Sequence, residues 1–199
     1  MRTIAVCLLL LLQTSTRSWD FDKERVNVIA ATFTNEAGEW KVAVDNDAPS
    51  KPNVLGQFAL SSGPTFNIAL AGDTNYRDVD VSVSMKAVAG KIDQGGGLVW
   101  RAKDARNYYI ARYNPLEDNY RVYKVENGRR VELQSANVRR SPGWHALRVT
   151  MVGDRIECYY EGQKYLDVKD STFSGSGKIG LWTKADAQTH FDNLTVSGK

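Results

Sequence analysis

Asp78-Val79-Asp80-Val81-Ser82-Val83-Ser84-Met85 alternates polar and apolar side chains without a break. Successive side chains of a strand point to opposite faces, so Val79, Val81, Val83 and Met85 share one face and the polar residues share the other. One buried face and one wet face is the pattern of an antiparallel sheet. Similar segments follow downstream at 97–102, 108–113, 120–125, 146–152, 155–160, 178–183 and 191–196, each bounded by turn residues. No helical period interrupts them. Regular short strands separated by turn signals give an all-β sandwich or barrel.

Upstream the pattern is thinner. Glu39-Trp40-Lys41-Val42-Ala43-Val44 alternates, and 54–60 and 65–70 read as strands around Ser61-Ser62-Gly63-Pro64. Residues 45–53 are a loop by composition, and Trp19-Asp20-Phe21-Asp22 would open the fold. Asn127-Gly128 marks a tight hairpin. Two further turns make 146–166 a three-strand meander.

The first 18 residues read differently. Arg2 precedes an apolar run from Ile4 to Leu12, and Thr16 and Ser18 occupy the −3 and −1 positions of a cleavage site. That layout is a secretory signal peptide, too short to span a bilayer at ~20 residues. The expectation is a leader over 1–18, one domain over 19–199, and a secreted or periplasmic location with no membrane span after cleavage. The chain has 26 basic and 23 acidic residues, and losing Arg2 and Arg17 with the leader leaves 24 against 23. So small an excess does not indicate a nucleic-acid partner. Of the two cysteines, Cys158 alone follows the leader, and strand parity with Ile156 and Tyr160 turns it inward.

Outward residues supply the candidate site. Arg101 and Arg112 carry charge on neighbouring strands, while Tyr108 and Trp182 offer flat rings beside them. Rings next to charged groups suit a sugar, whose faces are apolar and whose rim carries hydroxyls. Asp78 and Asp80, about 6.6 Å apart at Cα on one strand, are the candidate catalytic carboxylates. Glu-x-Asp-x-Glu catalysis of the laminarinase type does not fit, because Ser82 stands where the acid/base glutamate belongs. Glu117, in the polar tip Asn114-Pro115-Leu116-Glu117-Asp118-Asn119, and His190 complete the candidate ligand contacts. The histidines have no cysteine partners for zinc. No phosphate loop, dinucleotide fingerprint or serine elbow occurs.

Gly95-Gly96-Gly97-Leu98-Val99-Trp100-Arg101, Asn107-Tyr108-Tyr109-Ile110-Ala111-Arg112, the Asn114–Asn119 tip, Trp144-His145-Ala146-Leu147-Arg148-Val149, Gly180-Leu181-Trp182-Thr183-Lys184-Ala185-Asp186 and Phe191-Asp192-Asn193-Leu194 carry a family resemblance. Over roughly 20–197 the chain resembles exported bacterial concanavalin A-like (LamG/jelly-roll) domains, close to the 3-keto-disaccharide hydrolase domain family. The resemblance implies a two-sheet antiparallel jelly-roll sandwich with a sugar-facing concave sheet. It leaves three functions open: carbohydrate recognition first, hydrolysis of 3-keto-disaccharides at the same face second, a non-enzymatic adhesion or scaffold role third. No cofactor is required. Sandwiches of this class often hold a structural calcium where the first and last strands meet, and Asp20, Asp22 and Asp192 are its candidate ligands.

Overall fold

A computed structural model describes residues 16–199, and these contain strands and turns but no helix. The strands are β1 (Arg17–Trp19), β2 (Phe33–Ala37), β3 (Trp40–Val44), β4 (Asn53–Gln57), β5 (Phe66–Ala71), β6 (Val79–Ala89), β7 (Gly96–Asp104) and β8 (Asn107–Asn114). They continue as β9 (Asn119–Glu126), β10 (Arg129–Asn137), β11 (Trp144–Val152), β12 (Arg155–Tyr160), β13 (Gln163–Lys169), β14 (Lys178–Lys184) and β15 (Gln188–Gly198). The first sheet runs β13-β12-β11-β6-β15-β4-β3, with β1 against β15; the second runs β10-β9-β8-β7-β14-β5-β2. Every pairing is antiparallel, and the two sheets form the expected jelly-roll sandwich.

The alternating segment becomes β6, between β11 and β15. Val81 lies opposite Val149, Val83 opposite Leu147, and Met85 opposite Phe191, all turned into the space between the sheets. Leu98, Trp100, Tyr109, Ala111, Tyr113 and Leu181 enter the same core from the second sheet. Each fully buried side chain of this size contributes ~1.5–3 kcal/mol, so packing carries the fold. Cys158 lies in this core as its parity requires, and burial pushes its thiol well above the ordinary range.

The Asn127-Gly128 hairpin joins β9 to β10 with both residues at positive φ, the geometry that favours this pair. β10 itself had no clear signal. It is an edge strand, mostly polar, with a bulge between Glu132 and Gln134 that breaks its alternation.

Residues 1–15 of the expected leader lie outside the described residues. Arg17 and Ser18 pair with Val196 and Thr195, so a cut after Ser18 falls within β1. No helix among the described residues is long and apolar enough to cross a membrane.

Candidate functional site

The second sheet is buried on both faces. Its inner side chains join the sandwich core, while Ile68, Leu70, Val99, Tyr108, Ile110, Tyr123, Val125 and Trp182 form a separate cluster on its outer face. Strand register arranges that face in rows. In one row Arg121, Arg112, Gly97, Trp182 and Ile68 lie side by side across β9, β8, β7, β14 and β5. A guanidinium and an indole therefore flank Gly97 with only backbone between them. Glycine is required there: a Cβ on Gly97 would lie 1.8 Å from the Ala111 carbonyl oxygen. The Trp182 indole N–H donates to the Tyr108 hydroxyl at 3.0 Å, and the Phe66 ring lies 5.3 Å from the Trp182 ring.

The face is concave. Arg130 projects from β10, the edge strand, yet its guanidinium carbon lies 4.5 Å from the Tyr123 ring centre, 5.4 Å from Phe66 and 5.8 Å from Trp182. Phe66 is on β5, five strands away. No arginine side chain spans five spacings of ~4.8 Å across a flat sheet. The sheet must curl until its edge comes over its own outer face. Curling also explains why Tyr108 and Trp182, expected as open platforms, are only 0% and 1% exposed.

Charge is concentrated at one end of this hollow. Arg112, 1% exposed, donates from Nη2 to Glu117 at 3.0 Å, and its Nη1 lies 3.9 Å from buried Asp93. Asp93 also accepts from Asn114 at 2.8 Å, from the Gln94 backbone N–H at 3.0 Å and from Lys184 at 3.1 Å. Glu117 accepts from Asn119 and Arg121 as well. Burial pushes the Glu117 carboxyl up, but the Asn119 hydrogen bond and the charges of Arg112 and Arg121 outweigh it, leaving the group below its ordinary value and ionised. Several buried polar atoms have no partner: Arg112 Nε and Nη1, the Tyr123 hydroxyl, Asn119 Oδ1 and Arg130 Nη1. Most buried polar groups in proteins are satisfied by protein or by ordered water. Five of the seven such atoms among the described residues belong to this face, the other two being the Tyr120 hydroxyl and Trp144 Nε1.

Three of the expected contacts, Tyr108, Arg112 and Trp182, thus meet on one face, and Glu117 joins them. The others do not. Arg101 is a correction: it is 1% exposed, with φ +46° at an irregularity between Trp100 and Asp104, which breaks the parity that sent it outward. Its guanidinium donates to the carbonyls of Arg77 at 2.6 Å, Phe173 at 2.8 Å and Gly153 at 2.7 Å, clamping three loops. Asp78 and Asp80 belong to the first sheet, across the sandwich from the rings. Asp80 forms a two-pronged exposed ion pair with Arg148 at 2.7 and 2.6 Å, and Asp78 accepts from the Gly153 N–H. They cannot act on a sugar held at Trp182. His190 is also on the first sheet, bonded to Asp45 at 2.7 Å beside the Phe58 ring.

The suggested calcium ligands come near one another around Ser50, which bonds both Asp192 and the Asp20 carbonyl. Asp192 is fully buried and accepts from the Ser50 N–H and hydroxyl and from the Asn193 N–H, each at 2.7 Å. Burial raises its carboxyl above the ordinary value. Asp22 accepts from the Asn53 N–H, and Asp20 from the Asp22 N–H. Among the described residues no group of three His, Cys, Asp or Glu side chains is placed to hold a metal. Both oxygens of Asp192 carry donors, whereas Asp20 and Asp22 each have a donor on one oxygen, so the three carboxylates tie loops together in this arrangement.

Arg130, Asp93, Tyr123, Lys184 and Phe66 were not singled out from the sequence. Phe66 shares parity with Ile68 and Leu70, which was a usable signal; Asp93 lies in a loop and Arg130 on the irregular edge strand, where no periodicity marks them.

The family model for the 3-keto-alpha-glucoside-1,2-lyase-like domain matches residues 30–197. The chain belongs to that family. It is 28% identical over 147 residues to a levanase of Bacillus subtilis (strain 168), which covers 71% of this chain but only 20% of the levanase. The chain thus spans about a fifth of that relative's length. Among solved structures, the carbohydrate binding module CBM66 from Bacillus subtilis superposes with a TM-score of 0.72 at 24% identity, covering 88% of this chain and 99% of the module. A protein of unknown function with a galectin-like fold, also from Bacillus subtilis, gives 0.58 at 11% identity, covering 83% and 88%. Likeness at these identities establishes the fold.

Proposed function

We propose that the outer, concave face of the second sheet binds a carbohydrate, with the half-buried Phe66 ring beside the sugar, the buried Trp182 and Tyr123 rings as the floor under Arg130, and Glu117 and Arg121, with Arg112 and Asn119 behind them, meeting its hydroxyls. The observation that carries this reading is the group of buried, unpartnered polar atoms on Arg112, Tyr123 and Asn119 beside an aromatic floor. A sugar supplies what that arrangement lacks: hydroxyls that accept from the guanidinium and exchange hydrogen bonds with the phenol and amide, on a ring with an apolar face. The CBM66 and levanase likenesses support the same class of ligand. With the leader expected over residues 1–18, we propose that this activity is exercised outside the cytoplasm.

A second reading has one specific support, the lyase-like description of the family. Ionised Glu117 would then serve as base toward a keto-sugar bound at the same face. Glycan-array binding followed by product analysis separates the two: binding without turnover fits recognition, and turnover abolished by Glu117→Gln fits the lyase. Silence on the array together with no turnover of a 3-keto-disaccharide would overturn both.

A further inference from the structure

We propose that the ligand of this face is an acidic glycan, whose carboxylate pairs with Arg130; the proposal rests on the carbohydrate reading above and names its class. The cations of the hollow are not equivalent. Arg112 is paired with Glu117 and Asp93, Arg121 with Glu117 and Glu132, and Lys184 with Asp93. Among the described residues the Arg130 guanidinium forms neither an ion pair nor a hydrogen bond with the protein, and its Nη1 is buried without an acceptor. The guanidinium instead lies against Tyr123, Phe66 and Trp182.

A desolvated charge is costly unless it is paired, and rings satisfy a guanidinium only in part. The nearby Arg112 adds repulsion. Burial, with that repulsion, pulls the Arg130 guanidinium below its ordinary value although the group stays charged. What is missing is a planar anion that accepts from the side of the guanidinium fork turned away from the rings. A uronic acid has this form: its carboxylate is attached directly to a pyranose ring, so one group reaches Arg130 while the sugar ring lies beside the half-buried Phe66. Guanidinium and carboxylate match as two parallel hydrogen bonds, a geometry a lysine would not reproduce. A neutral sugar would offer Arg130 hydroxyl acceptors but no compensating charge.

The test uses the full chain on an array of uronic-acid oligosaccharides of several backbones, each printed beside its carboxyl-reduced neutral counterpart, with hits measured by titration calorimetry. The acid should bind at least about tenfold more tightly than its reduced partner. That preference should weaken as salt rises. Arg130→Gln should bring the pair to within about twofold of each other, and Arg130→Lys should restore the preference only in part. Equal or tighter binding of the reduced partners would overturn the acidic class while leaving carbohydrate recognition standing. A preference that survives Arg130→Gln or is insensitive to salt would overturn the role of Arg130. Silence toward every member of both series would overturn this inference and the carbohydrate reading together. Should Arg130→Gln fail to fold, the acid-to-neutral ratio and its salt dependence in the unaltered protein still decide the class.

Discussion

The two outer faces of the sandwich handle charge in opposite ways. On the first sheet, Arg148 meets Asp80, and Arg155 and Lys164 share Asp167 and Glu157, all in partly or fully exposed pairs. On the second sheet, guanidinium groups are drawn beneath aromatic rings, and some of their donors find nothing to bond. A sheet face that serves only to stay in solution has no reason to bury arginine. This contrast, more than any single residue, is why we propose the second sheet as the binding face.

The largest difference should appear on removing one arginine from each face. Arg112→Ala removes a buried guanidinium whose charge-assisted bond to Glu117 is lost, while Lys184 and Arg121 still face Asp93 and Glu117, and should cost about 1.5–3 kcal/mol in denaturant unfolding. Arg148→Ala should cost about 0–1 kcal/mol, since its pair with Asp80 is exposed. Similar losses at the two positions would erase the distinction between the faces.

The first sheet has a buried carboxylate too, but a fully paired one. Asp45 bonds to Lys86 and His190. Burial would raise it, yet the hydrogen bonds from Lys86, His190 and the Asp47 N–H more than offset this and lower it from 3.8 to about 2. Because the folded value is the lower one, the stabilisation is present above the unfolded pKa and is lost as pH falls from about 4 toward 2. Asp45→Asn should remove about 2 kcal/mol at neutral pH and flatten the unfolding profile across that window. A mutant whose profile keeps the full acid-induced loss between pH 4 and 2 would show that Asp45 is not its source.

A smaller change sharpens the comparison further. The Tyr123 hydroxyl is buried without a partner, so Tyr123→Phe should leave stability unchanged or slightly raised. If a sugar hydroxyl uses that phenol, affinity should fall up to about tenfold in calorimetry. A variant that loses stability but not affinity would place the hydroxyl in the fold.

How much of this could be read from the sequence depended on distance along the chain. Within one strand, parity was a reliable guide: Tyr108, Arg112 and Trp182 do share a face, and Val79 to Met85 do face the core. Parity failed at Arg101, where an irregular step and a positive φ interrupt the alternation. It also cannot say which sheet a strand joins. β6 and β7 are consecutive but lie in different sheets, so Asp78 and Asp80 were grouped with rings that stand on the opposite side of the sandwich. Arg130 and Asp93 reach the hollow only because the sheet curls and a loop folds beneath it, and neither event leaves a local pattern.

Amide chemical shifts recorded while a bound oligosaccharide is titrated into the labelled protein compare the two faces in one experiment. The shifts should concentrate on β5, β8, β9 and β14 and at Arg130 and Glu117, with β11 and β12 unmoved. Perturbation centred on Asp80, Arg148 and Tyr159 would instead put the sugar on the first sheet and contradict the assignment of the second as the binding face.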